Sequence, residues 1–337
     1  MKVALLGVGH WHCPLYLPGL TDDEIDIVGV ADPMPAACER IAEACRTNIY
    51  KTNDELLDHA KPDFVFAFAP HAAMPQLAAN LIRRQIPFVM EKPFGLTRAD
   101  VAATLAIAGK LFIAVPFIYR ISGLRHAMEN AMGGFGGGVS HLSIRNIAGP
   151  PQRYSMMGVP WMLDRAISGG GCLINLAVHF IDFAILATRQ PVSAVSCRTS
   201  NRTYGLEIED YAALTLCHGS GAISTVEVGY TFPQNAGEKR EFTLSCASER
   251  AYIRTVEDGL RVTLRPSETS TDISVELDTD VFYETFARQT LADFAAGRAP
   301  SAGVADMALV MGVVDAAYRS AADGGALTHV VHVGKPQ

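Results

Sequence analysis

Five apolar runs in the first 115 residues constrain this chain most, because they are apolar nearly throughout, Asp26 excepted, rather than at every second position. They cover residues 3–6, 25–30, 64–69, 88–90 and 111–115. A strand that is apolar on both faces must be buried on both faces, which is the condition of a parallel sheet between two layers of helices. The intervening segments supply those layers: helical patterns fall at residues 15–20, 35–44, 54–57, 75–84 and 98–109. After Pro116 the pattern changes. A helical stretch at 124–132 ends in a glycine-rich turn at 133–138, which Val139 rather than a lysine follows, so it is not a phosphate loop. Strand-like runs then lie at 139–148, 192–197, 211–217, 222–230, 241–245 and 260–264. Some alternate, as at Val226, Val228 and Tyr230, which predicts an antiparallel sheet with one covered face. Helices are expected at 172–187, 281–296 and 304–322, and a last strand at 327–333. The expected organisation is an amino-terminal α/β domain, residues 1–118, followed by an α+β domain, residues 119–337.

Composition narrows the class. Of 337 residues, 49% are apolar and 19% charged, which describes an ordered globular chain. A net charge of −7 argues against nucleic acid as a partner. No apolar run reads as a bilayer span, and the chain opens directly on a strand rather than a signal peptide, so no membrane partner is expected. Seven irregularly spaced cysteines without a CxxC pair fit a reducing cytoplasm. His10-Trp11-His12-Cys13 lacks the ligand spacing of a zinc site, and no metal is expected.

Two features place chemistry at the strand ends. Gly7-Val8-Gly9 follows the first strand, where glycines permit a tight turn and close approach of backbone to a pyrophosphate. The second strand ends at Asp32, about 20 residues further on, where a carboxylate accepts hydrogen bonds from ribose hydroxyls and repels a 2′-phosphate. NAD is therefore favoured over NADP. His10 and Trp11 lie beside the cofactor or pack on the sheet. Glu91-Lys92-Pro93 closes a further apolar run, and open α/β sheets bind ligands outside such ends. The proline forces Lys92 into an extended conformation and fixes its direction, so its ammonium can polarise a substrate hydroxyl or carbonyl.

A second polar group sits later in the chain. Asn175, His179 and Asp182 are spaced four and three apart behind Gly169-Gly170-Gly171, so they share one stripe of an otherwise apolar helix. Buried polar groups need partners or a cavity. His179 either exchanges protons near neutral pH or is satisfied by Asp182 within the core. Trp161 and Asp164 either wall a pocket or pin the loop that carries Tyr154. Arg120, Arg145, Arg153 and Arg165 either include an anchor for a carboxylate or phosphate or lie on the surface, which is the default for any one of them.

Taken in order, these pieces resemble the Gfo/Idh/MocA oxidoreductase family over essentially the whole chain. The resemblance rests on Gly7-Val8-Gly9, Ala31-Asp32, Ala69-Pro70-His71, Glu91-Lys92-Pro93, Trp161 with Asp164, the glycines with Asn175, His179 and Asp182, and Glu284-Thr285-Phe286 with Gly297-Arg298-Ala299-Pro300. It implies a Rossmann domain, then a large mostly antiparallel sheet whose open face makes homodimers or homotetramers. It implies an NAD(P)-dependent dehydrogenase or reductase acting on a sugar, cyclitol or related polyol. Lys92 and His179 then handle the proton and Asn175 belongs to the catalytic group. Pro70, His71, Glu91 and Lys92 join Gly7, Gly9, His10, Trp11 and Asp32 at the cofactor, and Trp161, Asp164, Arg120 and Tyr154 line the substrate. The chain departs from the family at Asn175, where aspartate is frequent, at His71 for asparagine, at Met74 for histidine, and at His12 for the third glycine. Two other functions remain compatible: a glycosidase that recycles NAD internally, and a non-catalytic sensor of the same fold.

Overall fold

Residues 2–6 are Lys-Val-Ala-Leu-Leu, and the last four of them are fully buried, so this segment can only be a central strand. In the computed structural model, which describes residues 1–136, 138–233 and 240–331, it is the third strand of a six-stranded parallel sheet. The strands are β1 (Lys2–Leu6), β2 (Asp26–Ala31), β3 (Ile49–Tyr50), β4 (Phe64–Ala67), β5 (Phe88–Met90) and β6 (Ile113–Ala114). Their order is β3-β2-β1-β4-β5-β6, so the winding direction reverses between β1 and β4. The carboxyl ends of β1, β4 and β5 diverge at that point and open a crevice.

The helices that cover the sheet carry their own start signals. Thr97 and Asp100 form a reciprocal capping box at the start of helix Arg98–Ala108, and Thr52 caps helix Asn53–Ala60. The first helix differs from the expected 15–20. It is a single α-turn, Cys13–Tyr16, followed by a 3-10 turn, Leu17–Leu20. Pro14 and Pro18 explain this: each lacks a backbone donor, and Pro18 clashes with the continuation of an α-helix.

The second sheet has nine strands: β7 (His141–Ala148), β8 (Val192–Ser200), β9 (Tyr211–His218), β10 (Ile223–Gly229), β11 (Arg240–Ala247), β12 (Ala251–Val256), β13 (Gly259–Leu264), β14 (Ser270–Ser274) and β15 (Thr328–His329). Their order is β14-β13-β12-β11-β7-β10-β9-β8-β15. Only the β7–β10 pair is parallel. Along β7, Leu142, Ile144, Asn146 and Ala148 are buried, while Arg145 points to the opposite face and pairs there with Glu227 and Glu241. Strands β12 and β14 escaped sequence reading. β12 follows β11 across a three-residue turn, and Ser-Thr-Asp-Ile-Ser of β14 is a mostly exposed edge with no apolar alternation. Of the expected terminal strand at 327–333, residues 332–333 lie outside the described residues, as does Gly137 of the glycine-rich turn.

The buried face of this sheet is covered by helices. The segment Arg165–Thr188 is apolar and long enough to cross a bilayer, contrary to the reading of the sequence, but 83% of its apolar window is buried inside the fold. It is also not one helix: Arg165–Ser168 is followed by the three glycines, a π-turn at Leu173–Ala177, and the α-helix Val178–Thr188. Helix Val304–Ala322 touches both β8 and helix Arg98–Ala108, and helix Phe282–Ala295 lies on Leu17–Leu20, so the carboxy-terminal helices join the two sheets.

The turn after β1 has no room for a side chain. A Cβ on Gly7 would sit 2.0 Å from the carbonyl oxygen of Phe68, and its φ of +74° strains any L-residue. Gly7→Ala is expected to lower the thermal midpoint by about 5 °C or more. An unchanged midpoint in a calorimetric scan would show that the Phe68 backbone yields without cost.

Candidate active site

The site is assembled around Lys92, which leaves β5 at the crevice with 2% of its surface exposed. Its neighbour Glu91 is fully buried and accepts three hydrogen bonds: from Tyr16 Oη at 2.6 Å, from His12 Nδ1 at 3.0 Å, and from the backbone N of Lys92 at 3.0 Å. Burial pushes the carboxyl up, but His12, His10 and Lys92 together outweigh it and hold Glu91 well below the usual carboxylate range. For Lys92, burial pulls downward, Glu91 opposes it in part, and Arg153 adds to it, which brings the ammonium down to about 8. A lysine poised there can give or take a proton near neutral pH.

Lys92 Nζ donates to Asn175 Oδ1 at 2.6 Å and to the Asn175 carbonyl at 2.8 Å. The amide is thereby oriented, since an ammonium needs the oxygen. Asn175 Nδ2 then donates to Tyr154 Oη at 2.7 Å and to Tyr230 Oη at 2.9 Å. Asn175 lies in the π-turn, a distortion that often marks functional positions in helices.

One turn further on, His179 is 8% exposed, and its Nδ1 is buried with no hydrogen-bond partner among the described residues. Burial first, then Lys92, hold its imidazole neutral. The core reading, in which Asp182 satisfies His179, is not what the structure shows. Asp182 instead takes Arg120, whose Nε lies 2.9 Å from Oδ2 and whose Nη2 lies 2.6 Å from Oδ1. Arg120 also donates to Asp306 at 2.9 Å and to the Ser301 carbonyl at 2.8 Å. The guanidinium expected at the substrate is therefore spent on clamping three segments together, and it does not line the cleft.

The glycine turn forms the other side. Asp32 Oδ2 accepts from Gly9 N at 2.8 Å and Oδ1 from Met34 N at 2.7 Å, so the carboxylate is fixed at the edge of the turn. His10 Nδ1 accepts from His12 N at 3.2 Å, which leaves a proton on Nε2, a buried donor without a partner among the described residues. Its ring stacks on Trp11 with centroids 3.9 Å apart. His71 is the complement. Its Nδ1 donates to the Ser168 carbonyl at 2.7 Å, burial pulls its pKa to about 3, and its Nε2 is a buried acceptor without a partner among the described residues. Two glycines without Cβ atoms in the turn after β1, a carboxylate at the ribose position and two ring nitrogens unsatisfied among the described residues fit a dinucleotide laid along the ends of β1 and β4.

Between these groups runs a cleft of about 560 Å³, lined by Lys92, Asn175, His179, Tyr154 and Trp11 among others. Trp161 stands behind it, edge-on to His71 at 5.1 Å and 5.8 Å from Trp11. Asp164 is turned away as the cap of helix Arg165–Ser168, accepting from Ala166 N at 2.8 Å. Pro70 begins the turn that carries His71. Sequence reading missed Tyr16, Tyr119, Asn146, Tyr230, Arg240 and Tyr283, and it noted His12 as a replaced glycine and a rejected metal ligand, not as the partner of Glu91. Asn146 was detectable in principle, as a polar residue at an inward position of β7.

Comparison with known proteins agrees with this geometry. Residues 1–112 match the oxidoreductase family with an NAD-binding Rossmann fold, and residues 133–251 match the Gfo/Idh/MocA carboxy-terminal domain. The chain belongs to the Gfo/Idh/MocA oxidoreductase family. It is similar to the rhizopine catabolism protein MocA of Rhizobium meliloti, at 24% identity over 239 residues, covering 69% of this chain and 72% of that one. An Agrobacterium radiobacter oxidoreductase solved with NAD+, L-tartaric acid and magnesium shares the fold, with a TM-score of 0.84 at 21% identity over 96% of this chain and 97% of that one. Levoglucosan dehydrogenase with NADH and L-sorbose also shares it, with a TM-score of 0.82 at 17% identity over 98% and 99%.

As a Gfo/Idh/MocA member the chain is an NAD-dependent oxidoreductase with the parallel and mostly antiparallel sheets of that family. Its asparagine at 175 adds no charge beside Lys92, whereas its hydrogen bonds still fix both the lysine and two tyrosines.

The Arg120–Asp182 contact separates a clamp from a substrate contact. Arg120→Met leaves Asp182 buried without its cation, which is expected to cost about 3–5 kcal/mol and lower the thermal midpoint by roughly 10 °C. A normal midpoint with a raised KM would instead return Arg120 to the substrate.

Proposed function

We propose that this chain transfers hydride between NAD and a secondary alcohol or ketone of a sugar, cyclitol or related polyol. The observation that supports it is the buried Lys92 ammonium, brought down to about 8 and aimed by Asn175 into a polar-lined cleft beside the glycine turn. Nicotinamide, when NAD is bound, supplies the hydride chemistry. The protein's part is positioning and proton handling. Two N–H bonds of Lys92 are held by Asn175, which leaves the third for the reacting oxygen. In oxidation the neutral amine accepts the alcohol proton, and in reduction the ammonium returns it. His179, held neutral and lining the same cleft, carries one acceptor nitrogen in either tautomer and offers a second proton acceptor. Asp32 receives the adenosine ribose, which favours NAD over NADP. Residues 1–118 then carry the cofactor and 119–337 the substrate. The outer face of the nine-stranded sheet, with Arg145, Glu227 and Glu241, is the surface we assign to self-association.

Lys92→Met tests the reading. Turnover on a panel of sugars, polyols and cyclitols is expected to fall by about 10²–10⁴-fold, while the affinity for NADH changes little. A variant that keeps most of its turnover removes Lys92 from the reaction.

The pH dependence follows from the same group. Oxidation needs the amine free, so kcat/KM for oxidation rises with pH through about 8 and then levels, and reduction runs the opposite way. Asn175→Asp places a carboxylate against the ammonium, favours its charged form, and moves both inflections up by about one pH unit or more. Unmoved inflections would show that another group sets the profile.

A further inference from the structure

The cations lining the cleft are not equally compensated. Lys92 has the Glu91 carboxylate as a charged neighbour that supports its ammonium, and Arg240 is held by Asp278 and Asp280 at 3.3 and 2.8 Å. Arg153 has no carboxylate partner among the described residues. Its guanidinium lies over Tyr154 at 4.8 Å and Tyr230 at 5.3 Å, one Nη donates to the Gly149 carbonyl, and the other donates to Tyr154 Oη at 2.9 Å. These bonds use two of the five N–H groups a guanidinium carries and fix its plane. The remaining donors belong to a residue that lines the cleft and is only half buried. Both tyrosines under it are the partners of Asn175 Nδ2, so a chain of hydrogen bonds runs from Lys92 through Asn175 and Tyr154 to Arg153.

We infer that Arg153 is the anchor for a carboxylate on the substrate, so that the preferred substrates of this oxidoreductase are sugar acids rather than neutral sugars. A guanidinium whose plane is preset binds a carboxylate through two parallel N–H···O bonds with little further ordering. The anchor is two hydrogen-bonded residues away from Lys92, which places the carboxylate within a few carbons of the hydroxyl that reacts. Two further polar groups of the lining suit the remaining hydroxyls: Tyr119 Oη and Asn146 Oδ1 are buried and lack partners among the described residues. The inference rests on the proposed hydride-transfer reading for the identity of the cleft, and its test reads binding first and turnover second.

The test compares aldonates with the matching alditols, which share a carbon chain and differ in one carboxylate. Gluconate and glucitol, galactonate and galactitol, and mannonate and mannitol are titrated calorimetrically into the full-length protein saturated with NADH. At least one aldonate is expected to bind ten-fold or more tighter than its alditol. Arg153→Gln removes that preference, whereas Arg153→Lys, which keeps the charge but not the fork, restores part of it. Equal affinities within every pair, no binding of any aldonate, or a preference that survives Arg153→Gln would each overturn the inference. Lys92→Met separates this from the reaction itself, since it abolishes turnover and leaves the acid preference in place. Aldonates that bind without being turned over sink the hydride reading alone, and faster turnover of neutral polyols sinks the acid preference alone.

Discussion

Everything at this site depends on keeping two opposite charges buried at the end of one strand. An isolated carboxylate or ammonium at such a position would lose its charge rather than its hydration. Glu91 keeps its charge because three donors converge on it, from His12, Tyr16 and the next backbone amide. Lys92 is stabilised less completely, by one charged neighbour and two oxygens of Asn175, and that deficit is what leaves it near neutral pH. The two neighbouring charges are thus compensated unevenly, and a lysine as well partnered as Glu91 would stay charged at all working pH values.

The second sheet contributes by holding the partners of that lysine still. Asn175 is fixed by Tyr154 from the loop after β7 and by Tyr230 from the end of β10, so its amide has no free rotation. The helix behind it is anchored by Asp182, whose partner Arg120 also reaches Asp306 and Ser301. Distant segments are thus drawn to one point by groups that never touch a reactant.

Much of this was visible in the residues themselves. The fold class followed from strands apolar on both faces, and helical spacing drew attention to Asn175 and His179, which line the cleft, and to Asp182, which does not. What could not be seen was which polar group meets which. Arg120 and Asp182 are 62 positions apart, and His12 and Glu91 are 79 apart. Local periodicity carries no information at those separations, so Asp182 looked like the partner of His179 when it belongs to Arg120. The π-turn was hidden too, because its residues read as an ordinary apolar helix. Polar edge strands such as β14 leave no trace in an apolar pattern at all.

The bonds on either side of the peptide between Glu91 and Lys92 come from different parts of the molecule. Side-chain support for Glu91 comes from His12 and Tyr16, just beyond the glycine turn, and support for Lys92 Nζ comes from Asn175, on the helix over the second sheet. A shear between the two sheets would therefore stretch one set or the other within a single residue of backbone. The lysine works as a caliper. It sits at its reacting position only while the layer that carries the cofactor turn and the layer that walls the cleft keep the correct separation.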